Sequence, residues 1–249
     1  IRSTLCSSKE DQQRVDYWNA CIIQCEGLIE YAHRMAVEAE RQAAACTDPK
    51  RKQELLTVAA NCRVVPENPP QTFQQALQLV WFVHVYFHIE VCTTANGFGR
   101  FDQYMWPFYE KDVLLEKNIT KDEALEMLEC FYLKACEVFE VRDKWYATSF
   151  AGYPMWELLV VGGQTPEGKD ATNELSYVCL DAASELKTTQ PVMAVRVWDG
   201  TPEELIRKGC LMIQDGQANP GFFNDNVAMQ MALGKGCSME EARDWTIVG

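Results

Sequence analysis

The sequence predicts a helix-rich α/β protein, and three observations carry that expectation. From residue 155 onward, short apolar runs alternate with amphipathic stretches in the order strand, helix, strand, helix, strand, helix, strand. That order fits parallel strands linked by crossover helices, in a sheet or a barrel. Before residue 155, apolar residues recur at helical spacing with charges between them. The composition, 47% apolar and 24% charged over 249 residues, is that of an ordinary globular protein with a sizeable core, in one large domain or two small ones.

In chain order, residues 9–47 read as one long helix, interrupted in composition only by Gly27. A second helix, Lys50 to Ala60, follows "TDP", and "CRVVPENPP" (62–70) reads as an extended connector too short and apolar to be a flexible linker. Thr72 caps a helix from Phe73 to Val91. "CTTANGFG" (92–99) is a small-residue loop, and Arg100 to Lys117 reads as the next helix. Thr120 and Glu123 form a capping box for a helix from Lys121 to about Val138. Leu158 to Val161 is a strand ending in Gly162 and Gly163, "TPEGKD" is a turn, and Ala171 to Leu186 is helical. Val192 to Val197 is a strand. Thr201 and Pro202 open a helix with acids in its first turn. Pro220 to Phe223 is a third strand. Ser238 and Glu241 make a further capping box, and Ile247-Val248 starts a last buried strand.

Charge and cysteine usage narrow the function. A net charge of −13 argues against nucleic acid or an anionic membrane as partner. The eleven cysteines are scattered and include no C-x-x-C, which predicts free thiols in a reducing cytoplasm, compatible with an anaerobic setting. The most apolar run, Ala76 to Val91, contains Gln78, His84, His88 and Glu90, and suits a buried helix better than a membrane span. Ile1 is not an initiator methionine, and a chain closing on "EARDWTIVG" stops where a core strand begins; both ends read as cut.

Candidate site residues are few. His84 and His88 lie one helical turn apart, a spacing a metal can use. With apolar surroundings and no third ligand at helical spacing, they read as a buried, hydrogen-bonded pair. "GFGRFDQY" (97–104) follows a helix and has the wrong glycine spacing for a phosphate loop; its Arg100 and Asp102 are expected to bond locally. In "SFAGYPMWELLVVGG", Phe150 reads either as core or as pocket wall. Trp156, at a strand entrance after Pro154, reads as the mouth of a pocket. In "PGFFNDN", Asn224 or Asp225 is an N-cap, with a role in holding a neighbouring loop also open. No nucleophile triad, Walker loop, zinc set or dinucleotide fingerprint is present.

The runs "NPPQTFQQALQLVWFVHVYFHIE…NGFGRFDQYMWPFYEKD" and "GGQTPEGKDATNELSYVCLDA…QPVMAVRVWDGTPEELIRKG…GQANPGFFNDNVAMQMALGKGCSMEEARDWTIVG" resemble the glycyl radical enzyme superfamily, the relatives of pyruvate formate-lyase. The resemblance covers residues 67–249, and residues 1–66 fit the family's helical region. It implies an α/β fold, part of the ten-stranded glycyl radical enzyme barrel wrapped in helices. It implies a cysteine directly after Gly249 that becomes a thiyl radical, with a carboxylate acid/base just beyond and a radical-storing glycine far C-terminal. On this reading the chain is a partial barrel domain that ends before the thiyl loop, and none of its residues is catalytic. No bound cofactor is implied; the glycyl and thiyl radicals are protein-based and are installed by an S-adenosylmethionine/iron–sulfur activase. The implied partners are a small-molecule substrate, that activating enzyme, and a second copy in a homodimer.

Within the family, Thr94 falls in a loop where several eliminating relatives present a pocket residue, and Trp156 falls at a pocket-wall aromatic, often Phe. A tryptophan there resembles the isethionate sulfite-lyases, which release sulfite and acetaldehyde. Thr94, Phe150 and Trp156 are thus the substrate-binding candidates. The rivals are a dehydratase acting on hydroxyproline or a small diol, a choline or arylacetate lyase, and a non-catalytic structural fragment.

Overall fold

The computed structural model describes residues 8–91, 95–138, 143–149 and 156–247. Two compact units divide the chain, Ile1–Tyr86 and Phe87–Gly249. In the first unit, α1 (Lys9–Ala45) packs on α2 (Pro49–Val64), and α3 (Phe73–Val91) begins. Ala32, Ala36, Ala39 and Ala43 recur at helical spacing and are all buried on α1. Such a stripe of small residues lets a second helix approach closely. Ala59, Cys62, Val65 and Phe82 complete this core, where burial pushes the Cys62 thiol up to about 11. Helix α2 extends four residues past the expected end, so the extended connector is shorter than the sequence implies. The side-chain hydroxyl of Thr72 accepts from the Gln75 N–H at 3.2 Å, as a cap should.

The second unit is built on a four-stranded parallel sheet in the order β1-β2-β3-β4. The strands are β1 (Gly99–Arg100), β2 (Leu158–Gly162), β3 (Val192–Val197) and β4 (Gly221–Asn224). Helix α8 (Glu174–Leu186) links β2 to β3, and α9 (Glu203–Gln214) links β3 to β4. Leu159, Val160 and Val161 in β2 and Met193, Ala194 and Val195 in β3 are fully buried. Near-continuous apolar strands of this kind belong to parallel sheets covered on both faces. After β4 come α10 (Asp225–Gly234) and α11 (Met239–Arg243). The Ser238–Glu241 capping box is present at α11, and Asn173 with Ser176 makes another at α8.

The segment from Arg100 departs from the expected single helix. It opens as a strand and continues in two short helices, α4 (Phe101–Tyr104) and α5 (Trp106–Tyr109), and a π-helical turn, Glu110–Leu115. Pro107 lacks an N–H, which interrupts a continuous helical ladder there. Then come α6 (Lys121–Ala135), with its capping box at Thr120, and α7 (Lys144–Ser149). Thr201 is not the N-cap of α9; Pro202 takes that place, and the Thr201 hydroxyl accepts from the Trp198 N–H. Ile247 is not in a strand, and Val248 lies outside the described residues.

Asp102 joins three of these pieces and is fully buried. Its Oδ2 accepts from the Gly162 N–H at 2.8 Å, closing the end of β2, and from the Ser176 hydroxyl of α8. These two bonds are long-range, and the Gln103 side chain adds the local partner expected from the sequence. Burial pushes the carboxyl up against the opposing pull of these bonds. A carboxyl raised in the fold holds its proton more tightly there than in the unfolded chain. Its stabilising share is full below the ordinary carboxylate range and is lost as pH rises through the folded value. Asp102→Asn keeps an acceptor for Gly162 and removes that dependence. The thermal midpoint of the unaltered protein is expected to fall relative to the variant's as pH rises from about 4 to about 8; parallel midpoints refute this.

Candidate functional site

The C-terminal ends of the strands converge on one stretch of chain, residues 243–247. Arg196 is the fifth residue of β3, and Asp225 opens α10 directly after β4; both are fully buried. The guanidinium Nε donates to Asp225 Oδ1 at 2.7 Å and an Nη donates to Oδ2 at 2.9 Å. The same group donates to the main-chain carbonyls of Arg243 at 2.7 Å and Trp245 at 2.8 Å. The Trp245 ring lies 4.7 Å from the guanidinium carbon, and its indole N–H donates to Asp225 Oδ1 at 3.2 Å. Gln164, just past β2, donates to Asp225 Oδ2 at 3.3 Å. Burial pulls the Arg196 pKa down, and the bond to Asp225 opposes that.

Arg100, at the end of β1, donates to Asp244 at 2.6 Å and to the Gln164 carbonyl at 2.8 Å. The Arg243 side chain donates to the Pro166 carbonyl at 3.0 Å, in the turn after β2. The chain then crosses toward the opposite edge of the sheet. The Thr246 hydroxyl lies 3.7 Å from where a Cβ on Gly99 would stand, and the Ile247 carbonyl 3.1 Å from that point on Gly97. The Leu158 carbonyl lies 3.2 Å from the same point. As the segment advances from 246 to 247, its neighbours step back from Gly99, the first residue of β1, to Gly97, two residues ahead of that strand. Residues 245–247 therefore run from the C-terminal ends of the strands to the entrance of β1 and β2.

Trp156 stands at that entrance. It forms a parallel bridge with Ala95, its carbonyl accepts from the Asn96 N–H at 3.1 Å, and the residue is 50% exposed. The sequence placed Trp156 at a strand entrance, and the backbone brings residue 247 beside Leu158, two positions away. Thr94 and Phe150, the other two candidates, lie outside the described residues. On α3, His84 is buried and His88 is half-buried, and His88 Nε2 lies 3.6 Å from the buried carboxylate of Glu157. The nine described cysteines are free thiols, and no described helix is long and apolar enough to cross a membrane. Asn224, not Asp225, is the N-cap of α10, accepting from the Asn226 and Val227 N–H groups.

The residue that the sequence reading missed is Arg196; Asp225 holds a neighbouring segment, the second of the two roles open to it, and Arg100, expected to bond locally, reaches Asp244 and the Gln164 carbonyl instead. One signal was visible: Arg196 is the only charge in "VMAVRV", and a charge inside a buried strand demands a partner.

A parallel sheet whose strand ends grip a single crossing segment is an α/β framework that presents whatever follows that segment. The family comparison fits this description. The pyruvate formate lyase-like family matches residues 2–249, and the chain belongs to it. It is similar to the isethionate sulfite-lyase of Nitratidesulfovibrio vulgaris, 40% identical over 96% of this chain and 29% of that protein. It is also similar to the (2S)-3-sulfopropanediol dehydratase of Klebsiella oxytoca, 36% identical over 97% of this chain and 30% of that protein. Among solved structures, the glycerol-bound B12-independent glycerol dehydratase from Clostridium butyricum superposes with a TM-score of 0.93 at 37% identity, covering 100% of this chain and 31% of that one. The chain thus spans about three tenths of the length of these relatives.

A glycine against Arg196 and one in open space give a test of this packing. Gly163 has φ +84°, and a Cβ there would stand 2.5 Å from Arg196 Nε; Gly216 has φ +85° with nothing within 4 Å. Gly216→Ala is expected to cost about 1 kcal/mol from backbone strain alone. Gly163→Ala adds the clash and should cost about 1–3 kcal/mol more. Equal shifts in thermal midpoint would contradict the close approach.

Proposed function

We propose that the full-length protein is a glycyl radical lyase that cleaves isethionate to sulfite and acetaldehyde. Two relatives whose names specify sulfonated substrates support a small sulfonate as ligand. The observation that carries the reading is the half-exposed Trp156 at the same sheet entrance that residues 245–247 reach.

The protein radical supplies one hydrogen-atom abstraction from the hydroxyl-bearing carbon and returns that hydrogen to the product. Isethionate and the pair acetaldehyde plus sulfite stand at the same overall oxidation level, so no external oxidant is needed. The residues of this chain bind, orient and exclude water. Trp156 offers a flat apolar wall with an indole N–H for the sulfonate end. Thr94 and Phe150 are proposed as further substrate contacts. The buried centres of β2 and β3, Leu159 to Val161 and Met193 to Val195, keep solvent from the sheet side. Arg196, Asp225 and Arg100 hold the segment that leads to Gly249, after which the resemblance sets the reactive cysteine. A separate activase installs the radical, the protein is a homodimer in a reducing, anaerobic cytoplasm, and no dissociable cofactor is held.

A second reading is a dehydratase, favoured by the superposition on the glycerol dehydratase. The two differ in the bond broken, C–S or C–O. Activated full-length protein is expected to release sulfite from isethionate and to leave glycerol unchanged; the reverse result would replace the first reading with the second. Trp156→Ala is expected to raise KM for isethionate about tenfold, equivalent to ~1.4 kcal/mol, with glycyl radical content by electron spin resonance unchanged. An unaltered KM would remove Trp156 from the pocket.

A further inference from the structure

Arg196 makes more bonds than neutralising its charge requires. Asp225 alone balances the guanidinium through two bonds. The remaining two go to the main-chain carbonyls of Arg243 and Trp245, residues two apart on the crossing segment. A planar guanidinium bonded at alternate residues fixes both the position and the direction of a backbone, which a single contact cannot. Asp225 in turn is held by Trp245 and Gln164, so the fork has little freedom to swing. At the far end Gly97 admits the Ile247 carbonyl 3.1 Å from where a Cβ would stand, closer than most side chains allow. The segment is thus clamped at 243–245 and seated at 247.

We propose that Arg196 is a positioning residue for the reaction. Through the carbonyls of Arg243 and Trp245 it sets how deep and in which direction the residue after Gly249 is presented, with Asp225 orienting it and Gly97 acting as the stop. This rests on the radical reading above but not on the choice of substrate. Lysine carries the same charge with no planar fork, so Arg196→Lys keeps the ion pair and gives up the paired grip on the backbone.

In full-length protein activated to a measured radical content, Arg196→Lys is expected to lower kcat for sulfite release about 10²-fold per radical, the cost of a misplacement of about 1 Å. KM is expected to stay within about twofold, since substrate binding is not the step affected. Gly97→Ala leaves the guanidinium untouched, presses the Ile247 carbonyl back by a few tenths of an ångström, and is expected to lower kcat by a smaller factor with KM again unchanged. In unactivated protein, hydrogen exchange over residues 243–247 reads the positioning without substrate. It should quicken in Arg196→Lys while β2 and β3 keep their protection. Unchanged exchange in that segment, or unchanged kcat per radical, overturns the assignment. Faster exchange across the whole sheet also overturns it, because it marks a general loss of structure. If the unaltered protein releases no sulfite, the substrate reading fails and the exchange measurement alone decides the role of Arg196.

Discussion

A guanidinium with no solvent exposure sits in the second unit's central sheet, and the rest of that unit is arranged to make its burial tolerable. Removing a charge from water costs several kcal/mol unless a counter-charge and a full set of hydrogen bonds replace the lost hydration. Asp225 supplies the charge, and the carbonyls of Arg243 and Trp245 supply the rest. Gly163 has no side chain because the guanidinium occupies that space. Loss of either charged partner leaves the other buried alone, at a cost of about 3–5 kcal/mol. A buried ion pair of this kind is weak as a source of stability but specific about geometry. Here the geometry it specifies is the course of the chain from 243 to 247.

This arrangement links sheet topology to chemistry. In α/β folds the C-terminal ends of parallel strands are where loops gather, and where most sites are built. In this protein those ends hold a strap. Arg100, Gln164, Arg196 and Asp225 come from the ends of four different strands and meet around residues 243–245. The strap then leads away, past Gly99 and Gly97, to the entrance where Trp156 is half exposed. Anchoring and proposed substrate contact are thus separated across the sheet. A reactive group borne by such a strap is oriented by the rigid scaffold, which suits chemistry in which positioning contributes most of the rate.

Much of this fold was legible because its signals are local. The capping boxes at Thr120 and Ser238, the apolar run of β3 and the Thr72 cap each lie within a few residues and came out as read. The alternation after residue 155 gave the parallel sheet. What escaped was short or non-local. With two residues, β1 has no periodicity to detect, and it exists because it pairs with β2. Asp102 was expected to bond nearby and does so with Gln103, but its partners Gly162 and Ser176 are 60 and 74 positions away. The Arg196 clamp spans 29 positions to Asp225 and 47 and 49 to the two carbonyls. Its charge in an apolar strand announced that a partner must exist, but nothing in the sequence said which one. Trp156 was legible as a strand-entrance residue from Pro154 and the apolar run that follows; its nearness to residue 247 was not.

A crystal structure of the full-length protein tests the central claim most directly. The account predicts that the Arg196 guanidinium remains bonded to Asp225 and to the carbonyls of residues 243 and 245, and that the chain beyond Gly249 emerges into a cavity walled by Trp156. A guanidinium turned to another partner, or a chain leaving Ile247 away from the entrance of β1 and β2, would contradict it.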